Sequence, residues 1–170
     1  MSAIGPELLG RLYDLHSAAL VLYARQLCDP VASEDVVHEA FLALARQRKA
    51  PLHPSAWLFR TVRNAAISAN RGTSRRRRRE TRSATPEAWF DSSDERLDAQ
   101  NAAHALAQLD EETREIIVSR LWGGLSFEDV ASLRGCSLAT AHRRYHEGIA
   151  RLQARLEPSW PTQPLAKNQK

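Results

Sequence analysis

Apolar residues recur along this chain at steps of three and four, with polar residues between them. From Glu7 to Cys28 the stripe is Leu8, Leu12, Leu15, Ala19 and Leu22, widened by Leu20, Tyr23 and Leu27. That spacing predicts an amphipathic helix, and Pro30 is expected to end it. A second helix is expected from Ser33 to Arg48, SEDVVHEAFLALARQR, with acids in its first turn and bases in its last, as the helix dipole favours. Val37, Ala40, Phe41 and Leu44 make its apolar stripe; Asp35, His38 and Glu39 lie off it. KAPLHP reads as a loop, whose Pro54 suits the first turn of a third helix. That helix, reaching Arg71, places Trp57, Leu58, Thr61, Val62, Ala65 and Ala69 near one face and Arg60, Arg63, Asn64 and Arg71 elsewhere. Ser92 and Glu95 form a capping-box pair before a helix that uses Leu97, Ala102, Ala105, Leu106 and Leu109. Asp110 is the expected cap of EETREIIVSRLW, which stops at Gly123-Gly124.

The final periodic stretch is the most informative. Ser126, with Asp129 three residues on, fits the start of a short helix that Arg134-Gly135 closes. Ser137 then caps a longer helix with apolar residues at Leu138, Ala141, Tyr145, Ile149, Leu152 and Leu156. Its early turns carry Thr140, His142, Arg143, Arg144 and His146 on other faces. A short helix, a tight turn and a longer helix that is polar and basic at its start follow the helix-turn-helix plan, in which the second helix enters the major groove. An ordinary helical hairpin with a solvated basic face is the plainer reading of this stretch alone.

The pattern contains no strand signal. The expected fold class is all-α: two small helical bundles, residues 7–71 and 93–156, joined by a flexible basic linker over 72–92, with a helix-turn-helix in the second. The tail, 157–170, is short, polar and Pro-containing, and is expected to be disordered. Charge sharpens this division. The net charge of +4 distributes as +1 over residues 1–70, +6 over 71–82, −7 over 83–112 and +4 over 113–170. Five consecutive arginines sit in the linker; they repel one another in isolation and would neutralise phosphates beside DNA. Such asymmetry suggests a polyanionic partner, with a solvated linker as the alternative. Two cysteines, Cys28 and Cys136, argue against a disulfide framework. No apolar run approaches the roughly 20 residues that span a bilayer, and no signal-peptide layout opens the chain, so a cytoplasmic protein without membrane insertion is expected.

Enzymatic chemistry finds little footing. No Gly-rich phosphate loop or nucleophile signature is present, and no catalytic residue or cofactor is expected. His142 and His146 are spaced for a metal pair on one helix, but a site wants three or four ligands and no third is evident; no metal is expected.

With both halves considered, the chain resembles the extracytoplasmic function (ECF) sigma factors, promoter-recognition subunits of bacterial RNA polymerase, from about Leu12 to Leu156. SEDVVHEAFLAL resembles the family's polymerase-binding helix, with Asp35, Val36-Val37, His38-Glu39 and Phe41 at its motif positions and His38 where Gln is common. AWLFRTVRNAAISANR resembles the segment Trp-Leu…Arg…Asn…Asp…Arg, here Trp57-Leu58, Arg60, Asn64, Ser68 and Arg71, with Ser68 in place of Asp. LAQLDEETREIIVSRLWGGLSFEDVASLRGCSLATAHRRYHEGIARL resembles the second module. Its recognition helix reads Thr140-Ala141-His142-Arg143-Arg144 where Thr-Val-Lys-Ser-Arg is usual.

The resemblance implies a sigma factor that binds core polymerase at the clamp of its largest subunits and helps melt promoter DNA, with no chemistry of its own. It assigns polymerase binding to Asp35, His38, Glu39 and Phe41. Arg60, Arg63, Asn64 and Arg71 would handle the minus-ten element, Asn64 by reading an unstacked base and the arginines by holding a separated strand. Thr140, His142, Arg143 and Arg144 would read the minus-thirty-five duplex, with arginine suited to guanine or to phosphate. An anti-sigma factor is a further partner common in the family. A DNA-binding regulator acting without polymerase is the competing reading, and it leaves the SEDVVHEAF helix unexplained. The 21 residues of 72–92 reach at most roughly 75 Å. The two promoter elements lie on the order of 50 Å apart, one and a half turns of DNA, so the tether suffices.

Overall fold

A computed structural model describes residues 4–77 and 104–156, and every regular element among them is a helix. α1 (Pro6–Ala24), α2 (Pro30–Ala45) and α3 (Pro54–Arg77) pack against one another as a first bundle. α4 (Glu111–Ile117) continues into a π-helical turn, Val118–Trp122, and packs with α5 (Phe127–Arg134) and α6 (Leu138–Leu156) as a second. Residues 104–107 are also helical. This is the all-α, two-bundle architecture expected from the periodicity. The helix start proposed at Ser92 and the tail from 157 lie outside the described residues.

Several boundaries differ from the sequence reading, each for a local reason. Pro30 does not end α1, which stops at Ala24; it opens α2, with the Asp29 carboxylate accepting from the Val31 N–H at 3.2 Å. Proline at the first helical position forfeits no hydrogen bond. Ser33, expected as the start of α2, is instead fully buried inside its first turn and donates to the Pro30 carbonyl at 2.6 Å. α3 passes through Gly72 and ends at Arg77, so 72–77 belong to the helix and not to the linker. One glycine costs a helix only about 1 kcal/mol, and arginine is among the better helix formers. Residues 78–92 of the expected linker lie outside the described residues.

The buried face of α1 is turned relative to the expected stripe. Leu8 and Leu15 are exposed, while Leu12, His16, Ala19, Leu20, Tyr23 and Ala24 are buried. His16 takes an apolar position because Ser55, at the start of α3, meets its Nε2 at 2.8 Å. The α2 stripe of Val37, Ala40, Phe41 and Leu44 is buried as expected. On α3 the fully buried residues are Leu58, Phe59, Val62 and Ala66, with Trp57, Ala65 and Ala69 only partly covered. Phe59 was outside the expected stripe because α3 has a second neighbour: its ring meets Tyr23 edge-on at 5.1 Å and lies against Gly123 of the second bundle. A Cβ at Gly123 would come within 2.5 Å of Phe59 Cζ, so the absent side chain is what lets the bundles close.

In the second bundle the helix-turn-helix forms as the caps predict. Asp110 accepts from the Thr113 N–H (2.9 Å), Ser126 from the Asp129 N–H (3.0 Å) and Ser137 from the Thr140 N–H (3.1 Å). Gly135 closes α5 at φ +66°, the left-handed conformation that favours glycine. α6 buries Ala141, Tyr145, Gly148 and Leu152, while Leu138 is exposed.

Candidate nucleic-acid interface

The sequence-selected residues fall on three faces. On α2, Asp35, His38 and Glu39 are exposed one turn apart. Phe41 lies beneath that surface: it is 5% exposed, with its ring 5.0 Å from Tyr13.

On α3, Arg60, Asn64, Ser68 and Arg71 are exposed, spaced so that their side chains share one side of the helix. Two of the arginines are already engaged by the second bundle. Arg60 Nη2 donates to Ser132 Oγ at 2.8 Å, and Arg63 Nε donates to Glu115 Oε2 at 3.0 Å. Glu115 is fully buried. The Tyr23 hydroxyl donates to the same Oε2 at 2.8 Å, and Arg134 Nη1 donates to Oε1 at 2.6 Å. Two of these three partners, Tyr23 and Arg63, come from the first bundle. A carboxylate held out of water needs paired charge and filled lone pairs, and this arrangement supplies both. Burial, then the charge and hydrogen bond of Glu115, push the Tyr23 phenol well above its ordinary pKa of 10.0, so it remains a donor. The Arg63 Nε–H is thereby committed to Glu115. This knot was not legible in the sequence, where Glu115 reads as one more acid in EETREII.

On α6, Thr140 is half-buried with its hydroxyl 2.8 Å from Ser137 Oγ, whereas His142 and Arg143 are exposed. Arg144 is ion-paired with Glu112, which also reaches Arg134 at 3.6 Å. Among the described residues Arg143 makes no ion pair, so of the two arginines in the early turns of α6 it is the one open to a new anion. The His142 ring stacks on Phe127 with centroids 3.7 Å apart and planes 26° apart. At the base of this face burial works to raise the Asp110 pKa. Hydrogen bonds from Thr113 and the Arg144 charge outweigh it and hold the carboxyl below 3.8.

A helix-turn-helix with exposed basic early turns, set beside a bundle that offers an acidic face and an arginine-asparagine face, defines a two-module DNA-binding protein of the sigma-70 type. The sequence matches Sigma-70 region 2 over residues 12–89 and Sigma-70 region 4 over residues 99–152. It is 33% identical over 170 residues to the ECF RNA polymerase sigma factor SigL of Mycobacterium tuberculosis, covering 92% of this chain and 93% of that one. Identity to the RNA polymerase sigma factor CarQ of Myxococcus xanthus is 31% over 137 residues, with 76% and 78% covered. The fold is similar to sigma factor RpoE in its complex with the anti-sigma factor NepR from Bartonella quintana (TM-score 0.66, 26% identity, 92% and 100% covered). It is also similar to CnrH in complex with the cytosolic domain of CnrY (TM-score 0.59, 25% identity, 92% of each chain). The chain belongs to the ECF sigma factors: it directs promoter-specific transcription initiation by RNA polymerase. No helix among the described residues is long and apolar enough to cross a membrane.

Proposed function

We propose that the labour divides between the bundles along the three faces above. The α2 face of Asp35, His38 and Glu39 docks on a basic surface of the core polymerase clamp. The first bundle, residues 7–71 with the α3 extension, holds the minus-ten element: Asn64 reads an unstacked base, and Arg60, Arg63 and Arg71 grip the separated strand. The second bundle, 93–156, reads the minus-thirty-five duplex through Thr140, His142, Arg143 and Arg144. The protein acts in the cytoplasm by recruitment and holds no catalytic group; the polymerase makes the RNA. An anti-sigma factor is a fitting further partner, since the structurally similar RpoE is held by one.

The observation that supports this most is the exposure of one acidic and two cation-bearing faces on three different helices, each over a buried apolar stripe. Surface charge of that kind adds little to stability. Arg60 and Arg63 each give one donor to the second bundle, so committing both guanidiniums fully to DNA is favoured by the bundles parting. The test is reconstitution with bacterial core polymerase. Replacing Asp35 and Glu39 by Lys is expected to weaken core binding with the fold intact, and replacing Arg143 by Ala to weaken the upstream footprint. Unchanged core affinity in the first variant would place the polymerase contact on a face other than that of Asp35 and Glu39.

A further inference from the structure

The recognition helix carries a side chain whose direction is set from outside that helix. Arg120, in the π-helical turn, donates from Nη1 to the Leu125 carbonyl at 2.9 Å, and its guanidinium lies over the Phe127 ring at 4.8 Å from the centroid. The edge of Phe127 is fixed by Tyr145, a buried residue of α6, at 5.3 Å and 81°. His142 then stacks on Phe127 at 3.7 Å. Behind it His146, one turn along α6, lies nearly parallel at 6.3 Å and 18°. Three elements thus converge on one imidazole that is nonetheless exposed. A face-to-face contact fixes the plane of a ring while leaving its edge, where both nitrogens lie, open. Arg144, two residues on, is instead tied back to Glu112.

We propose that Phe127 is a positioning residue for promoter specificity: it fixes His142 so that a ring nitrogen reads one base pair of the upstream element. The reading rests on α6 being the duplex reader. A fixed imidazole can donate to guanine O6 or to a purine N7, or accept from an exocyclic amine. An unfixed imidazole would lose rotamer freedom on binding, and that loss would blunt the discrimination. Phe127 touches no base in this scheme, so its effect must pass through His142.

The experiment measures holoenzyme binding to a duplex library randomised in the upstream element, for the natural protein and for His142→Ala, Phe127→Leu, Phe127→Tyr, the Leu/Ala double variant and Arg143→Ala. Loss of one hydrogen bond corresponds to roughly 2- to 10-fold in preference. His142→Ala and Phe127→Leu are expected to lose that preference at the same single base pair. Phe127→Tyr, which keeps the stack, should retain it, and the double variant should be no worse than His142→Ala. Preference kept by Phe127→Leu, or lost uniformly across all positions with a lowered melting temperature, would overturn the positioning role. If neither His142→Ala nor Arg143→Ala alters preference anywhere, the assignment of α6 as reader fails instead.

Discussion

At the scale of residues, two buried polar groups set measurable terms. Tyr23 spends its only hydroxyl proton on Glu115, across the boundary between bundles. Tyr23→Phe should cost about 1.5–3 kcal/mol, the worth of a hydrogen bond to a buried charge, read as a shift in the urea midpoint. A change below about 0.5 kcal/mol would mean that the contact is not formed in solution. His16 is buried, its Nδ1 has no partner among the described residues, and burial lowers its pKa below 6.5. The unfolded chain therefore binds this proton more readily than the folded one. Stability from His16 is complete above pH 6.5 and is lost as pH falls through the folded-state pKa. His16→Gln should flatten the stability profile below pH 6.5; an equally steep profile in both proteins would place the acid sensitivity elsewhere. Neither group stands out in the sequence, because a stripe of leucines hides one histidine that a serine 39 positions away satisfies.

At the scale of elements, caps and turns carried most of what could be read in advance. Asp110, Ser126, Ser137 and Gly135 signal locally, so the helix-turn-helix was legible to the residue. Gly135→Ala, forced into φ +66°, should cost about 1–2 kcal/mol and weaken duplex binding in parallel. Retained stability would mean that the turn adopts another conformation. The start of α2 and the end of α3 depart from the sequence expectation because a proline opens one helix and a glycine is carried through the other. The exposed candidates on α2, α3 and α6 were found from motif position. Their engagement was not: Arg60–Ser132, Arg63–Glu115 and Arg144–Glu112 join elements distant in sequence, and no local pattern records such pairs. Phe59 and Gly123 were missed for the same reason.

At the scale of the molecule, the two bundles are closed on one another, and the division of labour proposed above is served by their opening. The bundles meet through Tyr23, Phe59, Arg60 and Arg63 on one side and Glu115, Gly123, Ser132 and Arg134 on the other. Two of those residues, Arg60 and Arg63, are among the three proposed to hold the separated strand, and the promoter elements lie on the order of 50 Å apart. The knot is stable only while Glu115 keeps its partners, so opening would draw on compensating contacts from core polymerase and DNA. Tyr23→Phe should therefore raise the open fraction of the free protein. The most direct measurement is energy transfer between dyes at the exposed positions Arg48 and Gln153, one in each bundle. It would be made on the free protein, with core polymerase, and with core polymerase on a promoter. Efficient transfer in the free protein that drops sharply in the transcribing complex is the predicted result. Transfer that stays high in a complex initiating transcription would contradict the account, since Arg63 would then still be bonded to Glu115.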